Sequence, residues 1–398
     1  MRTRVQLALM GCLVSIGVHL YLTFHYYPLK FGFAVATSVC NLNAKFDCDA
    51  ASASAYAAVF GIPLAAWGAI TNFVLFLMIL ISWFEWTETP ERFKRWTLVL
   101  AGGSLAASLV MGVISLTQMN SYCLFCISLY VLSAIVFFAF KGLLREPFFM
   151  HLQRDIPELW QENKGILTAF AAIPVLAYLL HQMFMQNMGA SEIDRMVQEA
   201  TQEWESAPKQ DFVAKPSLVM GPAAQAASLT LVEFADFRCG HCKRASYTLH
   251  AFVKSHPDVR FEFYSFPLDG ACNEKIESSS GISCRLSAAV VCAENEGKGW
   301  ELHQTLFDIQ DEVIGFTTPA ALDPLLGQTA IKLGLNWERL QACIADPVTQ
   351  NAIRAQAKQG ALVNVQGTPT VFADGKLLMR GNMLPVLQAI RKKVLSAK

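Results

Sequence analysis

Apolar and polar positions divide this chain into two halves of different character. Residues 1–187 carry five long apolar runs, at 5–27, 62–84, 96–117, 123–140 and 166–185, separated by polar loops. Each run is near the roughly 20 residues a helix needs to cross a hydrocarbon core. Pro174 predicts a kink in the fifth. The first run follows Arg2 and Arg4, and Ala34-Val-Ala36 has the look of a cleavage site. It nevertheless exceeds the ~7–15 apolar residues of a signal peptide, so it reads as a retained helix. Beyond residue 187 the pattern changes. Ile193, Met196, Val197 and Trp204 recur on a rough helical period, which predicts an amphipathic helix over 189–206. Residues 208–228, with Pro208, Pro216, Gly221 and Pro222, read as a linker. A strand at 229–237, a helix at 243–256 and a strand at 259–266 follow. Helical stretches at 287–297, 300–308 and 319–358 lead to a strand at 371–376 with an Asp374-Gly375 turn, then a helix at 383–396. The expected fold is a membrane α-helical bundle of four helices plus a fifth, followed by an α/β domain with a helical insertion. The expected domains are 1–141, a loop and fifth helix at 142–187, a helix and linker at 188–228, and a globular domain at 229–398.

Composition sharpens this division. Hydrophobic residues make up 53% of the 398 positions and charged residues 16%, too apolar for a wholly soluble chain. The net charge of zero offers no electrostatic footprint for a nucleic acid. Basic residues sit at Arg2 and Arg4, in the loop 85–95 (Arg92, Lys94, Arg95) and in the loop 141–164 (Lys141, Arg145, Arg154, Lys164). With five spans these fall on one side, while the opposite loops hold only Lys30 and Lys45. The positive-inside rule therefore predicts a cytoplasmic N-terminus and an outer location for everything past the fifth span. Of eleven cysteines, ten can be grouped as Cys40/Cys48, Cys123/Cys126, Cys239/Cys242, Cys272/Cys284 and Cys292/Cys343. All ten fall on the predicted outer side, where disulfides persist.

Cys239-Gly-His-Cys242 lies at a strand-to-helix junction, where the helix dipole stabilises a thiolate and His241 adds a cation when protonated. Half of a zinc site is the other reading, but two further ligands at zinc-ribbon spacing are lacking. Phe237-Arg-Cys-Gly-His-Cys242 together with Gly367-Thr-Pro-Thr-Val-Phe372 resembles the thioredoxin superfamily, the DsbA-like branch in particular, over about 229–396. The resemblance implies that Pro369 is a cis-proline facing the cysteine pair, with Thr368 before it.

Cys40, Cys48, Ser54, Phe60-Gly61, Cys123-Leu-Phe-Cys126 and Tyr130 form a combination that resembles the vitamin K epoxide reductase (VKOR) family over residues 1–140. In that family a loop pair passes electrons to a membrane pair, which reduces a quinone. Cys126 lies deeper in its helix than Cys123, so Cys126 is placed to face a quinone and Cys123 to meet Cys40/Cys48. Tyr130, at i+4 from Cys126, shares its helix face and can donate to a quinone oxygen or serve as an interfacial or packing residue. Asn72 is a costly polar group inside the second span and a candidate quinone contact. Ser54 either polarises the site or caps a helix. Cys272, Cys284, Cys292 and Cys343 read as structural disulfides, with connectivity open because four cysteines allow three pairings. Cys12 reads as a small buried hydrophobe, Trp67 and Phe125 as packing, and His19, His25 and His181 as packing or interface residues.

The whole resembles bacterial VKOR proteins fused to a thioredoxin-like domain. That implies a thiol oxidase in the bacterial inner membrane with its thioredoxin-like domain periplasmic or extracellular. Electrons would pass from exported protein dithiols to Cys239/Cys242, then Cys40/Cys48, then Cys123/Cys126, then ubiquinone or menaquinone in the lipid, with no metal expected. Fusion through a flexible 208–228 linker would hold the partners at about millimolar effective concentration. Two alternatives are a thiol isomerase or reductase fed from inside, which would need an inner cysteine pair, and a non-catalytic peptide-binding membrane protein.

Overall fold

In the computed structural model, which describes residues 2–42, 45–119, 121–144, 155, 164–187 and 192–397, the apolar runs are helices. Five are long and apolar enough to cross a membrane: Arg2–Phe31, Leu64–Phe84, Pro90–Gln118, Leu124–Lys141 and Lys164–Asn187. The shortest, at 18 residues, measures about 27 Å along its axis. Pro28 and Pro174 lie within the first and last. The chain divides into two compact units, Met1–Tyr27 with Ser38–Ser191, and Pro28–Thr37 with Glu192–Lys398.

In the first unit, Pro90–Gln118 packs on Leu64–Phe84 and Leu124–Lys141, and Leu64–Phe84 packs on Lys164–Asn187. Val5, Ala8, Leu75, Ile79, Leu98, Val136 and Phe140 meet in its core. Hydroxyls bridge the helices, with Ser108 Oγ donating to Ser133 Oγ at 3.0 Å. The third span begins earlier than expected. Pro90 takes the first helical turn, where its missing N–H costs nothing, so Arg92, Lys94 and Arg95 are helical rather than in a loop. Arg95 is buried and grips Asp155 through Nε and Nη2 at 2.7 and 2.9 Å. Arg145, Arg154 and the start of the predicted helix at 189 lie outside the described residues. Within the expected outer loop, Cys48–Ala53 is a short helix. Strands β1 (Ala58–Val59) and β2 (Ile62–Pro63) pair as a hairpin. Its two-residue loop is Phe60 and Gly61, at φ 54° and 79°, the left-handed pair a type I′ turn requires.

The second unit is built on a five-stranded sheet ordered β3-β5-β4-β6-β7: β3 Leu218–Met220, β4 Leu229–Ala235, β5 Val259–Ser265, β6 Thr370–Ala373 and β7 Lys376–Leu378. β4 and β5 run parallel, joined through the helix Gly240–Ser255, and the remaining pairs are antiparallel. The helices between Ile282 and Leu362 are the insertion. The Asp374–Gly375 turn has φ 47° and 80°, as its sequence predicts.

The expected linker does not behave as one. Its residues 218–220 form the edge strand β3 on β5. Gln359 Oε1 accepts from the Val213 and Ala214 amides, and the Phe212 ring lies 5.2 Å from Phe372. Proline and glycine break the helix here without freeing the chain. Before it, Ile193–Ser206 packs on β7 and on the helix Leu384–Ser396, and Trp204 Nε1 donates to Ala373 O at 2.9 Å.

Candidate functional site

β4 delivers the chain into Cys239, which caps the helix Gly240–Ser255 at φ −84°, ψ 115°. Cys239 is half-buried and Cys242 fully buried, and neither is disulfide-bonded. The Thr368–Pro369 bond is cis, and Cys239 Sγ lies 3.2 Å from Thr368 O. The Cys239 thiol is pulled down to about 5, first by the hydrogen bond from the Cys242 thiol, against the cost of burial, with help from the Cys242 and His241 backbone amides. Cys242 is pushed up by burial and by its neighbour. The sequence expects the His241 ring to stabilise the Cys239 thiolate when protonated. It is exposed, and its Nδ1 lies 2.9 Å from Arg244 Nη2. Its backbone amide is the part that reaches Cys239.

Two neighbours were missed by the sequence reading. Glu233, on β4, is fully buried, neither carboxylate oxygen has a hydrogen-bond partner among the described residues, and burial pushes it up to about 8. An acid interrupting an apolar strand was the signal available. Gln310 donates from Nε2 to Phe237 O and Cys239 O at 2.7 and 3.0 Å, fixing the loop that carries the thiols. Elsewhere in this unit Cys272–Cys284 and Cys292–Cys343 are bonded, one of the three pairings left open.

The membrane unit holds the other cysteines. Cys40 and Cys48 form a disulfide. Backbone pairing carries this loop to the second CxxC: Asp47 N–H donates to Tyr122 O at 3.0 Å and Tyr122 N–H to Lys45 O at 2.8 Å. Cys48 Sγ then lies 3.2 Å from Cys123 Sγ, and the sulfurs of Cys40, Cys48 and Cys123 fall within 4.8 Å of one another. Two of the three are already bonded to each other, so the cluster is suited to thiol–disulfide exchange. Cys123 caps the helix Leu124–Lys141, its sulfur accepting the Cys126 amide at 3.1 Å. Around the loop disulfide, Asn41 Oδ1 accepts the Cys48 amide at 2.7 Å while its Nδ2 donates to Asp49 Oδ2. His25 Nε2 lies 2.6 Å from Asp49 Oδ1. His25 is thus part of the site's support, though read as packing or interface.

Cys123 and Cys126 line a cavity of ≈ 350 Å³, within the range of about 300–1,000 Å³ typical of small-molecule sites. Tyr130, Asn72 and Ser54 line it too, as do Trp67, Leu100 and Leu129. Asn72 Nδ2 is committed to Gly68 O at 2.9 Å. Ser54 ends the helix Cys48–Ala53 and its Oγ donates to Ala51 O at 2.8 Å, the capping alternative, while still facing the cavity. His19 also lines the cavity, with Nδ1 buried and unpartnered among the described residues. A Cβ on Gly68 would lie 2.1 Å from that ring, so the glycine makes room for it. Mostly apolar walls with a few convergent polar groups fit a quinone ring.

Comparison with known proteins agrees with this architecture. Residues 6–140 match the vitamin K epoxide reductase family. Residues 230–389 match the DSBA-like thioredoxin domain. The chain therefore joins a VKOR-family domain to a DsbA-like thioredoxin domain, and both families are thiol oxidoreductases. Among curated relatives, disulfide bond formation protein D of Bacillus subtilis is 24% identical over 157 residues, 38% of this chain and 66% of that protein. The Na(+)/H(+) antiporter NhaA 3 of Salinispora tropica is 26% identical over 231 residues, covering 55% of this chain. The chain spans only 31% of that antiporter's length. Among solved structures, oxidised BdbD from Bacillus subtilis matches at 19% identity and TM-score 0.39, covering 48% of this chain and 97% of that one. MdbA, a thiol-disulfide oxidoreductase from Corynebacterium diphtheriae, matches at 21% identity and TM-score 0.36, covering 48% and 98%.

Proposed function

We propose that this chain oxidises dithiols of exported proteins to disulfides and delivers the electrons to membrane quinone. The observation that carries the reading is the 3.2 Å separation of Cys48 and Cys123 sulfurs beside a cavity lined by Cys126. A substrate thiolate attacks Cys239 of an oxidised Cys239–Cys242 pair, and Cys242 leaves. The second substrate thiolate then attacks the mixed disulfide. Cys239 departs as a thiolate stabilised down to about 5, which makes the pair a strong oxidant. Buried Glu233, pushed up to about 8, holds a proton at neutral pH that Cys242 can take up.

The reduced Cys239/Cys242 pair next reduces Cys40–Cys48. Cys48 then attacks Cys123 of an oxidised Cys123–Cys126 pair, releasing Cys126. Cys40 closes on Cys48 and frees Cys123. Each exchange moves two electrons and leaves one disulfide behind. Quinone, when bound, accepts the two electrons and two protons of the Cys123/Cys126 dithiol. Tyr130, Asn72, Ser54 and His19 are among the polar side chains on the cavity that can hold its oxygens, with ubiquinone and menaquinone the candidate species. The basic residues at Arg2, Arg4, 92–95 and 141–164 support a cytoplasmic N-terminus, which puts the cysteine pairs on the periplasmic or extracellular side of a bacterial inner membrane.

The test is turnover of the purified full chain with a reduced unfolded protein. Cys40→Ala, Cys126→Ala and Cys239→Ala should each abolish quinone-dependent oxidation. Wild-type turnover in Cys40→Ala would remove the loop pair from the route.

A further inference from the structure

Exchange at the loop disulfide requires Cys40 to carry negative charge, either as leaving group when Cys123 attacks Cys48 or as attacker in the reverse step. The carboxylates that flank its partner Cys48 do not favour that charge. Asp49 and Asp47 flank Cys48, Asp49 held by His25 and Asn41 and Asp47 accepting the Ala50 amide at 2.9 Å. Cys40 itself is buried, with 2% of its surface exposed, and so is Ser38, also at 2%. The one hydrogen bond to Cys40 Sγ among the described residues comes from Ser38 Oγ, at 3.3 Å.

The direction of that bond follows from its neighbours. The Val39 amide can only donate, and it donates to Tyr21 OH at 3.0 Å. Cys40 Sγ is disulfide-bonded and carries no proton, so Ser38 donates to it and the Tyr21 hydroxyl proton points to Ser38 Oγ, 3.1 Å away. Asp49 Oδ2 accepts the Ser38 amide at 3.2 Å and holds the residue in place. A bonded disulfide sulfur is a weak acceptor, whereas a thiolate is a strong one.

We propose that Ser38 is a catalytic hydrogen-bond donor to the Cys40 thiolate during exchange, with Tyr21 as the positioning residue that aims its hydroxyl. The inference rests on the Cys48–Cys123 exchange described above. As Cys123 thiolate attacks Cys48, the Cys48–Cys123 bond forms, the Cys40–Cys48 bond breaks, and the electron pair goes to Cys40. The reverse step returns the pair to Cys123. No outside oxidant or reductant takes part.

The test uses the full chain carrying Cys126→Ser, equilibrated in a thiol–disulfide buffer at fixed pH, acid-quenched, alkylated and peptide-mapped. The readout is the ratio of Cys48–Cys123 to Cys40–Cys48 bridges, which activity and general stability do not set. Adding Ser38→Ala should lower the ratio roughly tenfold, the effect of one charge-assisted hydrogen bond. Ser38→Thr, which keeps the hydroxyl, should restore it, and Tyr21→Phe should lower it by less. A ratio unchanged in Ser38→Ala overturns the proposal. If Ser38→Ala does not fold, an unchanged ratio in Tyr21→Phe overturns it instead. A Cys48–Cys123 bridge absent from every protein, wild-type Ser38 included, defeats the exchange reading itself, whereas a bridge insensitive to Ser38 and Tyr21 defeats only this inference.

Discussion

Cys239 and Cys242 are chemically unequal because one, half-buried, caps a helix and the other is fully buried and feels the charge of Glu233. The thiolate sits on Cys239 from about pH 5 upward. At pH 7 iodoacetamide should therefore modify Cys239 and spare Cys242, with a reactivity midpoint near 5 by peptide mapping. Equal labelling, or a midpoint near the ordinary 9, would contradict this. Buried histidines and a buried carboxyl also couple stability to pH. His250 is pulled down to about 3 by burial, and His303 well below its usual value for the same reason. Both titrate near 6.5 when unfolded, so below that pH the unfolded chain binds protons the fold refuses, and stability is lost as pH falls. Glu233 has the opposite sign: raised to about 8 from 4.5, it keeps a proton in the fold, and its contribution is lost as pH rises from 4.5 to 8. Asp236, Glu294 and Asp308, also raised by burial, act with Glu233, and His256, also lowered by burial, acts with the two imidazoles. The melting temperature of His303→Phe should therefore fall less than that of the wild type as pH drops below 6.5. A wild-type slope in that variant would show that His303 is not the group being protonated.

At the scale of elements, the most consequential departure from expectation is the segment 208–228. It contributes an edge strand and packed side chains where a flexible tether was expected, so the millimolar effective concentration argued from a free linker does not apply. Trypsin should cut slowly after Lys215, which leads into β3. Rapid cleavage there in the folded chain would contradict the observed packing. The helices and the two CxxC motifs were legible because apolar period and cysteine spacing are local properties. The Asp374–Gly375 turn was legible for the same reason. What faces what was not. The Phe46–Tyr122 bridge that brings Cys48 to Cys123 joins residues 76 apart by ordinary backbone hydrogen bonds, which leave no mark on composition. Tyr21 and Ser38 carry no signal in the sequence and His25 reads there as packing or interface, and only the fold turns them toward the loop disulfide. Charge density placed 85–95 in a loop, whereas Pro90 at a helix N-terminus and the Arg95–Asp155 pair let the helix begin inside it.

At the scale of the whole molecule, two thiol-oxidoreductase domains lie in one chain. The membrane unit holds a loop disulfide, a dithiol 3.2 Å from it and a cavity of ≈ 350 Å³ reached by that dithiol. The thioredoxin-like unit holds a polarised pair suited to taking electrons from protein thiols. The central claim is that these form one route from protein dithiol to quinone. Its most direct test is stoichiometry under anaerobic conditions, with the purified full chain, a reduced unfolded protein and either ubiquinone or menaquinone analogue, following quinone absorbance and substrate thiols together. The account predicts one quinol formed per substrate disulfide, and none in Cys126→Ala. Substrate disulfides accumulating catalytically without quinol, or quinol forming at an undiminished rate in Cys126→Ala, would contradict it.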